Sequence, residues 1–556
     1  MPPTYGLFIA ALAASALAPA AAAPGPPLNL TFPPHPPASA LANVIEDHFI
    51  GLSWELSSFD TLWGVSVNRQ PTAMQNYLHN LIARMSKPLR IRVGGNGMDG
   101  STYVPDLPVP IEHVDPDAYF NDIPVNFGSI FFDLLNGMAD KVGEMQFSVG
   151  LSMRDPHNFE AVAQLGKAAR DKLGKRLDSM FLGNEPDLYA GHGERHEYDI
   201  ETYIPELEQA VAELDKVGAL GDSPILGGPT ICCRWDLHDI LDAGMDQLPY
   251  KYYTLQRYPN HACQGLTDRN QNLTYYLSHS NVEPYLGWQT QGILQAQQAG
   301  VPVIMSEYNS VACGGTYISS TFAMSLWAVD VGLKAATMNY SAVFLHTREF
   351  DIQYNLFDPP TPTTGTEPGW RTGSPYYAAL FLSEITDADG SVVVELDLNS
   401  NRTGVSDNFA AYGIYDQAGK TRGKIALINF TNDTQVFDIP ADVSNTIEYR
   451  LLQAPSVWER TNISWAGQTI STNGDLEGDQ ATIEMTCDDG CRLTIPGPSA
   501  ALVVLGTGSG KLFQGNSTIA GIGAYISGAS PLAAHTGAYW RSAIVTGIVG
   551  TWFAMF

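Results

Sequence analysis

The stretch Ser179-Met180-Phe181-Leu182-Gly183-Asn184-Glu185-Pro186-Asp187 decides how the rest of the chain reads. A short apolar run ends, after one glycine, on two polar residues and a proline. Proline has no N–H to offer a neighbouring strand, so the ladder stops there. Asn184 and Glu185 therefore stand at the strand's C-terminal end. Similar runs recur at residues 50–55, 89–93, 146–151, 223–227, 252–255, 301–305 and 341–345. Near-continuous apolar strands belong in a parallel sheet covered on both faces. The stretches between them, such as residues 159–173 and 203–217, space apolar residues three and four apart, as packed helices do. Eight strand–helix units over residues 41–375 match the count and length of a (β/α)8 TIM barrel. A doubly wound open sheet is the structural alternative.

The texture changes at residues 376–508. Short strand-like runs, among them 392–394, 410–415, 424–429 and 500–505, are punctuated by Gly, Asn and Asp, with little helical periodicity. That pattern predicts a C-terminal antiparallel β-sandwich domain. The Pro-rich residues 24–40 read as an extended leader without packed structure of its own.

Both ends of the chain carry the marks of export. Residues 1–23 combine an Ala-rich apolar stretch with Ala21-Ala22-Ala23, the small-residue pattern of a cleaved signal peptide, although the first six residues hold no Lys or Arg. Residues 509–556 end in a 15-residue apolar run, Ser542 to Phe556, preceded by a spacer and the cluster Ser527-Gly528-Ala529-Ser530. This is the order of a glycolipid (GPI) anchor signal, with a buried helix or a short membrane span as alternatives. Eight Asn-x-Ser/Thr triplets begin at Asn29, Asn272, Asn339, Asn401, Asn429, Asn432, Asn462 and Asn516. They predict a secreted glycoprotein, which the tail would tether to the cell surface or cell wall. Six cysteines suit an oxidising compartment, and Cys487 with Cys491 could staple a hairpin. Cys232-Cys233 is not metal-ligand spacing, so no metal and no cofactor is expected. The formal net charge of −28, from 30 Lys+Arg against 58 Asp+Glu, excludes a nucleic-acid partner and disfavours long polyanions.

A second strand repeats the pattern of the first: Val303-Ile304-Met305 runs into Ser306-Glu307. Counted along the barrel these are the fourth and seventh strands, whose C-terminal ends face each other across the mouth, where barrel enzymes hold their reactive groups. Two carboxyls in opposite protonation states suit cleavage of a glycosidic bond. One protonates the leaving oxygen while the other attacks the anomeric carbon. Glu185 is the expected acid/base and Glu307 the expected nucleophile. For an isolated Glu, a solvated strand-end charge would be the plain reading.

These strand ends resemble the retaining (β/α)8 glycosidases of clan A. More narrowly, five motifs are similar to those of glycoside hydrolase family 79, the β-glucuronidase and heparanase family, in its fungal-type branch. They are Gly51-Leu52-Ser53-Trp54-Glu55, Arg90-Ile91-Arg92-Val93-Gly94-Gly95-Asn96, Gly183-Asn184-Glu185-Pro186-Asp187, Gln256-Arg257-Tyr258-Pro259 and Ser306-Glu307-Tyr308-Asn309. The resemblance implies that Asn184 meets the sugar's 2-hydroxyl and that Tyr258 donates to the nucleophile. It implies that a sugar carboxylate is held by backbone amides within residues 310–315, where Gly314 and Gly315 permit close approach, and by Tyr354. Tyr258 in the core, or Tyr354 packed under a loop, would be the structural alternatives. Arg92 is expected to balance buried acids, Glu55 first among them, and Asn96 to reach a sugar hydroxyl from the mouth. The expected substrate is a glycan bearing terminal β-glucuronic acid or its 4-O-methyl form, such as a plant arabinogalactan. No Lys/Arg cluster suits sulfated chains. Another clan A endo- or exo-hydrolase, or a non-catalytic wall glycoprotein on a retired scaffold, are the competing readings.

Overall fold

A computed structural model describes residues 25–114, 124–348, 352–360, 369–506 and 512–513. The export signal expected over residues 1–23 lies outside these residues. So does the tail of residues 509–556 with its anchor signal, apart from Leu512 and Phe513.

Eight parallel strands close a barrel in chain order. They are Ile50–Glu55 (β1), Leu89–Gly94 (β2), Met145–Leu151 (β3), Leu177–Leu182 (β4), Leu226–Ile231 (β5), Tyr250–Arg257 (β6), Val303–Tyr308 (β7) and Tyr340–Thr347 (β8). The last seals on the first, with Val343 opposite Ile50 and Thr347 opposite Trp54, so the open-sheet alternative is excluded. β5 lies three residues later than its apolar signal suggests. It contains Gly227-Gly228-Pro229 directly after its first residue, turn chemistry that hides a strand from a propensity reading.

Strand alternation sorts side chains in β2. Leu89, Ile91 and Val93 are fully buried and face the surrounding helices. Arg90 and Arg92 face the barrel axis, where Arg90 lies over the rings of Tyr252 and Phe344. Phe181, Tyr252, Ile304, Ala342 and Phe344 fill the interior. Room for two of these rings comes from small partners. A Cβ on Gly51 would stand 2.5 Å from the Phe344 ring, and one on Gly227 would stand 2.3 Å from the Phe181 ring.

The helix Phe322–Thr337, after β7, is buried on nearly every face and packs against the helix Ser374–Leu382. The second of these completes the barrel and runs beyond the boundary at residue 375. Helices apolar all round are stable only where other protein replaces solvent. Here the β-domain does so.

That domain joins two sheets. One runs in the order Val392–Glu395, Phe409–Tyr415, Thr421–Asn429, Ser499–Leu505, Thr446–Gln453 and Ser464–Trp465. The other contains Leu28–Asn29, Gln435–Ile439 and Cys491–Ile495. The Pro-rich leader is therefore not unstructured. Leu28 pairs in parallel with Phe437, and Leu28, Leu30 and Phe32 are buried in the β-domain core. Three large apolar side chains among the prolines outweigh what the prolines lack in N–H donors. The disulfide Cys487–Cys491 forms, but it does not staple a hairpin. The strand before it pairs with Thr446–Gln453 and the strand after it with Gln435–Ile439, so it closes the corner between two sheets. Cys263–Cys313 and the adjacent pair Cys232–Cys233 complete the disulfides.

A buried ionic knot joins the two domains. Glu384, just past the last barrel helix, accepts from Arg84 at 2.9 Å, from Arg450 of the β-domain at 2.9 Å and from Trp465 Nε1 at 2.9 Å. Among the glycosylation triplets, Asn429 is fully buried and its amide donates to Asp433 and Ile495 carbonyls, which removes it as an acceptor of sugar.

Candidate active site

The chain leaves β4 through Gly183, at φ 81°, and Glu185, at φ 50°. A left-handed backbone at a non-glycine residue costs on the order of 1–3 kcal/mol and persists only where neighbours enforce it. They do so here: Glu185 N–H donates to Thr230 O, and the next turn begins at Pro186. Asp187 anchors the loop from below, its buried carboxylate accepting from the N–H groups of Cys233 at 2.8 Å and Arg234 at 2.7 Å. Cys232 N–H adds a weaker bond at 3.3 Å. The vicinal disulfide loop after β5 thus holds the β4 loop that presents Glu185.

Glu307 sits at the end of β7 and is nearly buried. Its carboxylate accepts from Arg92 Nη1 at 2.5 Å and from Tyr258 Oη at 2.8 Å, with His346 Nδ1 3.6 Å away. Arg92 also donates to Ser53 at 3.0 Å and to Asn184 Oδ1 at 2.6 Å. The acid that Arg92 balances is therefore Glu307 and not Glu55. Glu55 instead accepts from Gly97 N–H at 2.6 Å and lies 3.7 Å from His346 Nε2. Distance along the barrel axis decides this. Arg92 stands level with Ser53 across the β1–β2 ladder and reaches the ends of β4 and β7, whereas Glu55 lies level with Gly94 and is drawn to the turn after β2. That turn needs a glycine, because a Cβ on Gly95 would fall 1.5 Å from Glu55 Oε2.

Asn184 completes the ring of contacts by donating to Asn96 Oδ1 at 2.8 Å. The Gln256 side chain lies 2.9 Å from Asn184 Oδ1, 3.0 Å from Arg92 Nη2 and 3.2 Å from Glu185 Oε1. The amide orientation that serves most of these partners points its nitrogen at Glu185. A continuous path Glu185–Gln256–Arg92–Glu307 thus links the two carboxylates. Tyr354 is buried beside them, its ring 6.1 Å from those of Tyr258 and His346, and its carbonyl accepts from Asn309. Gly314, at φ 91°, lies between Cys313 and Gly315, which also have positive φ. Its carbonyl accepts from Gln353 N–H at 2.8 Å, next to Tyr354. The structure brings Glu185, Glu307, Asn184, Tyr258, Asn96 and Tyr354 into one cluster, and ties Gly314 to its rim.

Three participants escape a sequence reading. Gln256 carries no charge to signal it. His346 lies near the end of an apolar strand without any adjoining motif, Ser53 sits within the first quoted motif with nothing to single it out, and their hydrogen bond at 3.0 Å appears only when β8 closes on β1. Arg348, buried one residue beyond β8, lies near enough to oppose protonation of His346.

The electrostatics of the two carboxyls diverge. Burial, then the charge of Glu307, then that of Asp187 push Glu185 well above the usual carboxylate range. Burial would also raise Glu307, but His346, the Arg92 guanidinium and the Tyr258 and Arg92 hydrogen bonds outweigh it and hold its pKa below normal. His346 itself is lowered to about 4, chiefly by burial, so near neutral pH it is uncharged and Arg92 is the cation that keeps Glu307 ionised. Burial and Glu307 raise the Tyr258 phenol well above its ordinary value, so it remains a donor. One carboxyl protonated, one ionised and both at a barrel mouth is the arrangement that acid-assisted nucleophilic displacement requires.

The chain resembles known proteins on the same lines. Residues 411–502 match the family model described as the glycosyl hydrolase family 79 C-terminal beta domain. A β-glucuronidase of Neurospora crassa is 24% identical over 367 residues, spanning 62% of this chain and 64% of that protein. A β-glucuronidase of Aspergillus niger is 26% identical over 405 residues, spanning 68% and 71%. Among solved structures, a 4-O-α-L-rhamnosyl-β-D-glucuronidase from Fusarium oxysporum superposes with a TM-score of 0.70 at 20% identity, covering 86% of this chain and all of the other. A GH51 arabinofuranosidase from Xanthomonas axonopodis pv. citri gives 0.57 at 12% identity, covering 86% of this chain and 99% of the other. Those likenesses establish the fold. The C-terminal domain match and the fungal relatives make this chain similar to the glycosidases of glycoside hydrolase family 79.

Proposed function

We propose that this protein is a retaining exo-β-glucuronidase that releases terminal glucuronic acid, or its 4-O-methyl form, from a glycan. The observation that carries the reading is a pair of buried carboxyls at the barrel mouth, joined through Gln256 and Arg92, whose surroundings favour the proton on Glu185 and the charge on Glu307. Glu307, kept anionic, attacks the anomeric carbon, while Glu185 delivers its proton to the departing glycosidic oxygen. A glycosyl ester on Glu307 results, and loss of the Glu307 charge lowers the Glu185 pKa, so Glu185 next serves as base toward water. Water adds to the anomeric carbon, Glu307 leaves as carboxylate and Glu185 recovers its proton. Tyr258 holds one oxygen of Glu307 and Arg92 the other, which fixes the attacking geometry. Asn184, itself oriented by Arg92 and Asn96, meets the 2-hydroxyl, a bond that tightens as positive charge develops on the ring. Tyr354 and the backbone around Gly314 form the wall that receives the sugar's carboxylate. The β-glucuronidase relatives support the choice of acid sugar. Three disulfides support an oxidising, extracellular setting, to which an export signal and a C-terminal lipid anchor would deliver the chain.

Turnover of a chromogenic β-glucuronide, compared with the matching β-glucoside and β-xyloside, tests the reading. Wild type should cleave the glucuronide alone and release the β-anomer first, as seen by proton NMR. Glu307→Gln should be inactive. Glu185→Gln should lose about 10²–10⁴-fold on substrates whose leaving group needs a proton. Equal activity of all three proteins, or initial release of the α-anomer, would overturn the mechanism.

A further inference from the structure

Among the described residues only two aromatic side chains are strongly exposed, Tyr317 at 47% and Trp458 at 50%, and they lie against each other. Their ring planes are within 6° and their centroids 6.2 Å apart. At that separation nearly parallel rings are offset, so each leaves much of one face open to solvent. They come from different domains. Tyr317 opens the short helical turn Tyr317–Ser320 in the loop after β7, and Trp458 sits on a loop of the β-domain.

The backbone beneath both rings is firmly held. Thr316 and Ser319 cap the turn that starts at Tyr317, and Thr316 Oγ1 donates to Asn270 O in the loop after β6. The Trp458 loop is stitched to the start of the helix Phe322–Thr337, whose first N–H groups, Phe322 and Ala323, donate to the carbonyls of Glu459 and Val457. The same loop reaches the candidate site, since Arg460 donates to Gln353 at 3.2 Å and Gln353 N–H donates to Gly314. The loop that carries one of these two near-parallel, solvent-facing rings is thus tied to Gly314 through Arg460 and Gln353, the residue before Tyr354. Exposed aromatic surface is unfavourable in water unless something covers it, and a fixed patch beside a cleft marks a binding surface.

We infer that Tyr317 and Trp458 form a stacking platform for a neutral sugar residue on the leaving-group side of the scissile bond, an inference that rests on the glycosidase reading. A pyranose presents one face of C–H groups to an aromatic ring, whose negative face attracts them while the apolar surfaces shed water. Recognition of this kind needs no cation, which suits a chain of net charge −28. The terminal acid sugar belongs to the buried wall at Tyr354, so rings exposed outside that wall receive the next part of the glycan. Trp458 comes from the β-domain, which thereby contributes directly to substrate choice.

Two measurements on Tyr317→Ala, Trp458→Ala and Trp458→Phe test this. The first is kcat/KM on a nitrophenyl β-glucuronide and on an arabinogalactan-derived oligosaccharide ending in β-glucuronic acid. The second is calorimetric binding of the same oligosaccharide lacking its glucuronic acid. The alanine variants should keep the nitrophenyl activity and lose about five- to tenfold on the oligosaccharide through KM. Neutral-oligosaccharide binding should weaken to match, and Trp458→Phe should restore most of both. Alanine variants that bind the neutral oligosaccharide within twofold of wild type would overturn the platform. A wild type that cleaves neither glucuronide, yet binds the neutral oligosaccharide in a Trp458-dependent way, would overturn the glucuronidase reading and leave the platform standing.

Discussion

Arg92 is the residue on which the chemistry of both carboxyls turns. It touches Glu307 directly, and its charge lowers the pKa of Glu185 as well as that of Glu307. Replacing it with Met removes the opposing cation, so the pKa values of both carboxyls rise. In the proposed displacement Glu307 must be ionised to attack, so the acid limb of the kcat/KM profile should move to higher pH. Glu185 must be protonated, so the alkaline limb should move up too. The whole bell is expected to shift upward, and a pH–rate profile of folded Arg92→Met checks it. An unchanged acid limb would assign the work to His346. Tyr258→Phe makes a narrower change, removing one hydrogen bond to Glu307 and no charge. A bond to an ionised group is worth about 1.5–3 kcal/mol, so kcat should fall roughly 10–100-fold with the alkaline limb little moved.

Loops and strand ends, at the level of elements, are what hold these residues in place. Cys263–Cys313 ties the loop after β6 to the loop after β7, with Gly314 next to it. Closing a loop of 50 residues restricts the unfolded chain by up to about 4 kcal/mol in the chain-entropy account. The double variant Cys263→Ser/Cys313→Ser should therefore melt well below wild type, and KM should rise as the Gly314 wall loosens. Calorimetry with kinetics at a temperature below both transitions separates the two effects. A raised KM without lost stability would point to a local role alone. The β4 loop depends on a different device, the amide groups of Cys232, Cys233 and Arg234 gathered on Asp187. Asp187 was visible in the sequence only as part of a motif, because its partners come from the next strand's loop and carry no side-chain signature.

The two domains behave as one unit at the scale of the molecule, because apolar and ionic contacts both cross the seam. Glu384 lies between two arginines from opposite domains. Glu384→Ala would leave both guanidinium groups buried without their carboxylate, at a cost of about 3–5 kcal/mol. Phe32→Ala should cost a comparable 3–5 kcal/mol from the far end of the chain, since Phe32 fills the β-domain core. Denaturant unfolding followed by both tryptophan fluorescence and far-UV circular dichroism should give one shared transition that moves to lower denaturant in each variant. Separate transitions for the two probes would show that the domains unfold independently.

The strand count, the barrel, the β-rich C-terminal domain and the pair Glu185 and Glu307 were all legible in the linear sequence. Each is written in short-range patterns: apolar runs, helical spacing, and a carboxylate placed where a strand must stop. What the sequence could not decide was partnership. Arg92 points into the barrel by alternation alone, but whether it meets Glu55 or Glu307 depends on height along the barrel axis. Gln256, Ser53 and His346 join the site through contacts between strands far apart in the chain, and Leu28 to Phe32 finds its sheet some 400 residues away. Local patterns record what a segment can form. Only closure of the barrel and docking of the β-domain settle which side chains then share one dry, charged space.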